Sequence, residues 1–279
     1  MKAIRLANGV EIPAIAYGTW KLEKEMTASC VKDAIECGYR HIDSAESYYN
    51  QKEAGQGVYE SGIEREKLFL TSKTSNDVSS YEETIRRFEK TLKDFRTDYL
   101  DLLLIHWPNP LAFRDDYLSR DIEIYHAYED LYRQGRVRSI GVSNFEVHHL
   151  EELKQHIEIP VMVNQIEYHP YYYDKETIDY CLSNGIVVES YSTLGRGKIL
   201  NDEKLAAIGS KYDKTVAQVC VRYAIQRDIV ALPKSTNKER IRQNIEIDDF
   251  ELSDEDMKFI DGLSHYDGKL GSRPDTALF

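Results

Sequence analysis

The N-terminal half of the chain carries four side chains of complementary chemistry: Asp43, Tyr48, Lys73 and His106. Tyrosine is a weak acid with a pKa of about 10, and a nearby ammonium makes the phenol a better proton donor. A carboxylate would keep the lysine charged, and the histidine could orient a substrate oxygen. These residue types predict general acid catalysis, in which an alkoxide is protonated as it forms from a carbonyl. No side chain supplies hydride, so a nicotinamide cofactor is expected.

Short segments rich in strand-forming residues alternate with segments of helical periodicity. The apolar run from Leu102 to Ile105 predicts a strand buried on both faces, as in parallel sheets covered by helices. The predicted strands are IAYGTW (15–20), YRHID (39–43), KLFLTSK (67–73), YLDLLLIH (99–106), VRSIGVSN (137–144), VMVNQ (161–165), IVVESY (186–191) and IVALPKS (229–235). Eight such units predict one (β/α)8 TIM barrel over residues 1–279, with an N-terminal β-hairpin around Asn8 and Gly9 and additional helices.

Polar side chains recur at the C-terminal ends of these predicted strands. They are Asp43, Lys73, His106, Asn144, Gln165, Tyr191 and Lys234. Any one of them alone is more typical of a structural or solvated residue. Because the carboxyl ends of barrel strands share one face, their joint appearance predicts an active site there. The other histidines are expected to be structural (His41 and His169) or on helix surfaces (His126, His148, His149 and His156).

Composition argues against several classes of function. The formal net charge of −12 disfavours nucleic-acid binding, which needs a basic surface. The N-terminus lacks the apolar core of a signal peptide and no run reaches transmembrane length, so no membrane association is expected. The four cysteines form no CxxC pair, which is typical of reduced packing residues in the cytoplasm. No interface pattern stands out, and a monomer is expected.

The basic segment LPKSTNKERIRQN after the last predicted strand predicts an anion site. Thr236 and Glu239 have the spacing of a capping box, so a helix should begin there, and helix N-termini at this point of a barrel attract phosphates. Lys234 and Arg240 together could clamp a 2′-phosphate, which would favour NADPH over NADH. The glycines of EAGQGVYESG lack the GxGxxG spacing of a dinucleotide fingerprint and are not interpreted as one.

The sequence resembles the aldo-keto reductases over essentially its whole length. GYRHIDSAESY is similar to the family's Asp-to-Tyr motif, LTSK to its lysine strand and LLLIHWP to its histidine strand. GVSNF, NQIEYHP, YSTLG and LPKS follow in the family's order and spacing. Short microbial members such as the glyoxal and 2,5-diketo-gluconate reductases look most similar. The resemblance implies Tyr48 as proton donor, Asp43 and Lys73 as groups that tune it, and His106 as the group that positions the carbonyl.

The resemblance also implies NADPH extended across the barrel mouth, with Ser143, Asn144 and Gln165 on its carboxamide and Tyr191 stacked on its nicotinamide ring. The expected cofactor contacts are Thr19, Trp20, Ser143, Asn144, Gln165, Tyr191, Ser192, Leu194, Lys234, Ser235, Thr236, Arg240, Gln243 and Asn244. The expected contacts of a small carbonyl substrate are Trp20, Tyr49, Ser75, His106 and Trp107. No metal site is expected.

Three positions depart from the family pattern. Ser75 stands where many members carry a tryptophan that lines the substrate pocket, so a larger pocket is expected. Thr193 replaces the usual proline, and Gln243 stands where an acidic residue is frequent.

Three other interpretations of the function of these residues remain open. A metal-dependent hydrolase is disfavoured because no HxH or HExxH spacing occurs. An aldolase could use Lys73 to form a Schiff base, although this leaves Tyr48 and the basic helix unexplained. A nucleotide-binding protein without activity could also retain a reductase fold.

Overall fold

The computed structural model describes residues 2–279, which alternate between strands and helices. The strands are β1 (Ala3–Arg5), β2 (Glu11–Pro13), β3 (Tyr17–Gly18), β4 (His41–Asp43), β5 (Phe69–Thr74), β6 (Leu102–Ile105), β7 (Ile140–Ser143), β8 (Val163–His169), β9 (Tyr172–Tyr173), β10 (Val187–Tyr191) and β11 (Val230–Ala231). The helices are α1 (Lys24–Glu36), α2 (Gln51–Glu60), α3 (Tyr81–Phe95), α4 (Tyr117–Arg133), α5 (Val147–Lys154), α6 (Lys175–Ser183), α7 (Glu203–Lys211), α8 (Val216–Ile225), α9 (Lys238–Ile245) and α10 (Asp254–Asp261).

Within residues 2–279, eight parallel strands follow the order β3-β4-β5-β6-β7-β8-β10-β11. A parallel bridge between Ile15 and Ala231 joins the two ends of this sheet. Across it the Ala16 N–H donates to Ala231 O at 2.8 Å, and the Ala231 N–H donates to Ala14 O at 2.9 Å. The sheet therefore closes on itself, and the predicted (β/α)8 barrel is confirmed.

The predicted N-terminal hairpin is also present. Strands β1 and β2 pair antiparallel, with Ile4 opposite Ile12, and Gly9 turns the chain with a φ of 86°. A side chain at this φ would be strained, which explains the glycine. The short β9 adds an antiparallel pair to the end of β8.

The helices pack through apolar faces and, at two glycines of α2, through close backbone contact. In α3, the Ser80 side chain accepts from the Glu83 N–H, and the apolar face of the helix buries Phe88 with its neighbours. A Cβ on Gly55 would overlap a carbonyl oxygen of α3, and one on Gly57 would overlap a carbonyl oxygen of α1. The glycines of α2 therefore allow close helix approach.

The segment that follows β6 is ordered by helices. A 3-10 turn at Leu111–Asp116 leads directly into α4.

Across residues 2–279, none of the helices combines the length and apolar character that crossing a bilayer requires.

Candidate active site

Three neighbouring strands and a 3-10 turn bring together the four residues predicted to act in catalysis. Asp43 ends β4, Lys73 is the penultimate residue of β5, and His106 directly follows β6. The 3-10 turn Glu46–Tyr48 ends on Tyr48 and returns that side chain to the same place. The arrangement follows from the parallel sheet, whose strands all present their carboxyl ends on one face of the barrel.

The ammonium of Lys73 joins this group together. Its Nζ donates to Asp43 Oδ1 at 2.7 Å and Oδ2 at 2.9 Å, to Ser44 O at 2.9 Å and to Tyr48 Oη at 3.1 Å. Lys73 is 1% exposed and Asp43 is 3% exposed. A buried ion pair offsets its desolvation only when further hydrogen bonds satisfy both ions. Here the Ser44 carbonyl and the Tyr48 hydroxyl supply such partners.

Burial and charge determine the protonation states of Lys73 and Tyr48. Burial lowers the pKa of Lys73, but the Asp43 carboxylate and the Tyr48 phenol outweigh it, so that this pKa lies above its ordinary value. Burial raises the pKa of Tyr48, and the Lys73 ammonium offsets this only in part. Tyr48 is therefore a neutral phenol at physiological pH, beside a cation that would stabilise a phenolate.

His106 packs edge-on against Tyr48, with ring centroids 5.5 Å apart. Burial, together with the Lys73 charge, lowers the pKa of His106 well below its ordinary value, so the imidazole is neutral. Ser47 Oγ lies 3.0 Å from His106 Nδ1. With that hydroxyl as donor, the ring proton sits on Nε2, and this tautomer can donate to an oxygen in the cavity. Sequence reasoning missed Ser47, although it precedes Tyr48 directly.

A cavity of about 790 Å³ opens over these residues. Tyr48 and His106 lie in its wall, and its lining continues to residues that follow β11 and to the start of α9. Tyr48, His106 and the residues of the predicted anion site therefore border one continuous space, as a substrate that meets an extended cofactor would require.

A model of the Aldo/keto reductase family matches residues 14–265. The chain belongs to this family. It is 47% identical to the glyoxal reductase of Bacillus subtilis (strain 168), over 99% of this chain and 97% of the relative. An aldo-keto reductase from a Medee basin deep-sea metagenome library shares 40% identity with a TM-score of 0.92, over 99% of this chain and 100% of its own. A Bombyx mori aldo-keto reductase, solved in complex with NADP, shares 34% identity with a TM-score of 0.86, over 94% and 92% of the two chains.

Most cofactor contacts that the sequence predicts for this aldo/keto reductase line the cavity. They are Trp20, Ser143, Asn144, Gln165, Tyr191, Ser192, Leu194, Lys234, Ser235, Thr236 and Arg240. Thr19, Gln243 and Asn244 are not part of this lining. Thr19 is buried, and its hydroxyl donates to Asp43 O at 3.0 Å, so it braces the strand ends behind the site. Asn244 is 3% exposed, and Gln243 is half-buried beside it on α9.

The residues expected around a nicotinamide are already hydrogen-bonded to one another. Tyr191 Oη donates to Asn144 Oδ1 at 2.7 Å, and Asn144 Nδ2 donates to His106 O at 2.9 Å. Ser143 Oγ donates to Gln165 O at 2.7 Å. Asn144 has a φ of 64°, a left-handed conformation that asparagine tolerates better than most residues. This conformation places its amide where it braces the end of the histidine strand.

The helix expected after the last strand is present as α9, but the predicted capping box of Thr236 and Glu239 is wrong. Asn237 is the N-cap, and its Oδ1 accepts from the Arg240 N–H at 3.0 Å. Asparagine caps at least as well as threonine, so the helix begins one residue later than the box implied. Lys234 and Arg240 remain exposed cations in the cavity wall.

Trp20, His106 and Trp107 line the cavity as the sequence predicts for substrate contacts. Trp107 packs edge-on against Phe279, with centroids 4.9 Å apart, and Phe279 also lines the cavity. Sequence reasoning missed Phe279, because nothing in the sequence indicates that the C-terminal segment returns to the barrel mouth.

Two predicted substrate contacts lie elsewhere. Tyr49 is 78% exposed and is not part of the cavity lining. Ser75 is likewise absent from the lining, whereas the next residue, Asn76, belongs to it. Among the described residues, the buried Asn76 Oδ1 has no hydrogen-bond partner. The chain leaves β5 after Thr74, so the strand alternation that would aim Ser75 inward no longer applies.

One group of possible metal ligands occurs within residues 2–279, namely His148, His149 and Asp275. His149 was expected on a helix surface, but it is 1% exposed. The Glu146 N–H donates to His149 Nδ1 at 3.2 Å, so the proton of the neutral ring sits on Nε2, 3.1 Å from Asp275 Oδ1. A metal would need the Nε2 lone pair. The group is therefore better described as a hydrogen-bonded contact that holds the C-terminal segment against α5.

Proposed function

We propose that this protein reduces small aldehydes and ketones to alcohols, with NADPH as the hydride donor and Tyr48 as the proton donor. The observation that carries the proposal is the 3.1 Å hydrogen bond from the buried Lys73 Nζ to the Oη of Tyr48, which lines the cavity. The similarity to a glyoxal reductase supports small dicarbonyl compounds as substrates. The similarity to a relative solved with NADP supports the choice of cofactor.

Bound NADPH would transfer hydride to the carbonyl carbon, and the electron pair of the C=O bond would move to the oxygen. Tyr48 gives its proton to that oxygen, which completes the alcohol. The Lys73 ammonium stabilises the phenolate that remains, and Asp43 holds the ammonium in place. The neutral His106 donates from Nε2 to the carbonyl oxygen and keeps it directed at the phenol.

The residues of the cavity fit NADPH. The Tyr191 ring and the Gln165 amide offer a flat surface and a polar group for the nicotinamide end. Lys234 and Arg240 offer exposed positive charge beside a helix N-terminus for the 2′-phosphate. A cavity of about 790 Å³ is in the range that holds a cofactor together with a small substrate.

The alternatives fit the geometry less well. A Schiff-base aldolase needs a neutral amine, whereas the raised pKa of Lys73, caused by Asp43 and Tyr48 against the effect of burial, keeps it charged. A nucleotide-binding protein without activity would not need Asp43, Tyr48, Lys73 and His106 together. A monomer acting in the cytoplasm stays a prediction.

The test is a panel of glyoxal, methylglyoxal, larger aldehydes and ketones, assayed with NADPH and NADH side by side. We expect stoichiometric NADPH oxidation with the small carbonyls. Cofactor binding without oxidation of NADPH by any carbonyl would favour the non-catalytic alternative. Trapping of substrate on Lys73 by borohydride would favour the aldolase.

Arg240→Ala is expected to weaken NADPH binding about tenfold or more, since a hydrogen bond to a charged group contributes roughly 1.5–3 kcal/mol. NADH, which lacks the 2′-phosphate, should bind almost as before. The measurement is the Kd of each cofactor by fluorescence titration. Arg242→Ala is the matched control, because Arg242 lies on the same helix and pairs with Glu239 at 2.7 Å. Equal affinity of the wild type for both cofactors would contradict the role of Arg240.

Asn76→Trp should narrow the range of accepted carbonyls. A bulky ring in this wall overlaps larger substrates, and overpacking costs about 1–3 kcal/mol, so kcat/KM for an aromatic aldehyde should fall roughly fivefold or more relative to glyoxal. Ser75→Trp places the same ring one residue earlier, outside the lining, and should leave the ratio of the two substrates unchanged. If Ser75→Trp changes the ratio and Asn76→Trp does not, our assignment of this wall is wrong.

A further inference from the structure

Glu189 is a buried carboxyl group that the mechanism above does not use. It lies in β10, two residues before Tyr191, and is fully buried. Its Oε2 is 2.8 Å from Gln165 Nε2. Among residues 2–279, its Oε1 has no hydrogen-bond partner, and His41 Nε2 is 3.8 Å away. An apolar side chain would be less costly to bury at this position, so packing alone does not explain the carboxyl group.

The Gln165 amide lies between two carboxyl groups. Its Nε2 is 2.8 Å from Asp43 Oδ1 as well as 2.8 Å from Glu189 Oε2. The Asp43 carboxylate, paired with Lys73, can only accept hydrogen bonds, so the amide atom that contacts it is the nitrogen. Both hydrogens of Nε2 are therefore used inside the barrel. The amide oxygen remains for the cavity, which Gln165 lines.

We propose that Glu189 is a positioning residue that orients the Gln165 amide, so that its oxygen accepts a hydrogen bond from the NH2 of the nicotinamide carboxamide. Glu189 contacts neither cofactor nor substrate and acts through Gln165. The inference rests on the proposed function, because it assumes a nicotinamide cofactor. With Glu189 absent, Asp43 alone would hold one amide hydrogen, and the other hydrogen could turn towards the cavity.

The charge state of Glu189 agrees with this role. Burial and the negative charge of Asp43 raise the pKa of Glu189 to about 8, so the group is a neutral acid at pH 7. A neutral carboxyl still accepts through its carbonyl oxygen. Because it carries no charge, it does not compete with Asp43 for the Lys73 ammonium. A glutamine at this position would offer the same acceptor.

The experiment compares two cofactors in three proteins. NADP+ carries the carboxamide, whereas its 3-acetylpyridine analogue has a methyl group in place of the NH2. The Kd of each is measured by fluorescence titration for the wild type, Glu189→Met and Glu189→Gln. We expect Glu189→Met to weaken NADP+ binding roughly three- to tenfold, the equivalent of one neutral hydrogen bond, and to leave the analogue nearly unchanged. Glu189→Gln should retain the wild-type preference for NADP+.

The outcomes separate this role from others. An equal loss for both cofactors in Glu189→Met would indicate a general structural role, and no loss for either would show that Gln165 is held without Glu189; each overturns the assignment. A wild type that binds neither cofactor overturns the proposed function itself. If Glu189→Met does not fold, Glu189→Val removes the same acceptor with a smaller side chain and is judged by the same comparison.

Discussion

Tyr48→Phe should lower the rate of carbonyl reduction by roughly 10²–10⁴, the contribution of a positioned general acid. The substitution removes the hydroxyl, whose oxygen accepts a hydrogen bond from Lys73 Nζ at 3.1 Å, and keeps the ring that packs against His106. NADPH should still bind, and the fold should hold. Single-turnover kinetics with glyoxal, together with the Kd of NADPH, measure the two effects separately.

A Tyr48→Phe variant with near-normal turnover would mean that another group gives the proton, and His106 would be the first candidate. Tyr59→Phe is a suitable control for the substitution itself, since Tyr59 is 64% exposed and lies outside the cavity lining. It should leave both the rate and the cofactor affinity unchanged.

His106→Ala should act on the position of the substrate and not on the supply of the proton. Without the imidazole the carbonyl oxygen loses its directing donor, and a misplacement of about 1 Å can cost on the order of 10² in rate. We expect kcat/KM to fall by at least this amount, while the Kd of NADPH changes little. Steady-state kinetics with a small aldehyde test the first expectation, and fluorescence titration tests the second.

Ser47→Ala provides a graded comparison for His106→Ala. It removes the hydroxyl that lies 3.0 Å from His106 Nδ1. The imidazole ring stays, but its proton is then no longer directed to Nε2 by this hydrogen bond. An intermediate loss is expected, because the Nε2–H form is then favoured less strongly. If Ser47→Ala and the wild type are equal and His106→Ala is inactive, the ring matters but its tautomer is fixed by another group.

The general position of the site could be predicted because strand ends carry it. Asp43, Lys73 and His106 each lie at or just past the C-terminal end of a strand, and parallel strands of a barrel place such residues on one face. This reasoning needs local sequence alone, together with the rule that the strands run in parallel. It therefore predicted the barrel and the meeting of the four residues, whereas the antiparallel hairpin was predicted from its Asn8-Gly9 turn.

Side chains beyond the strand ends could not be predicted in the same way. Once the chain leaves β5 its conformation decides whether Ser75 or Asn76 faces the cavity, and sequence periodicity no longer applies. The N-cap of α9 was predicted at Thr236 but is Asn237, because both residue types can serve as an N-cap. The role of Glu189 could not be predicted for another reason. It depends on contacts with other strands, which the sequence does not reveal.

The closure between β3 and β11 ties ligand binding to folding. Asp43 and its partners come from consecutive units, but Lys234 reaches the same cavity only because Ala231 pairs with the chain beside β3. A ligand that spans both parts binds the closed ring and not a ring opened at this point. By mass action, a cofactor at a hundred times its Kd adds about 2.7 kcal/mol to the closed form. The concentration of NADPH would then govern how often the two ends of the barrel sheet, β3 and β11, separate. It would therefore also govern how readily proteases cleave these strands.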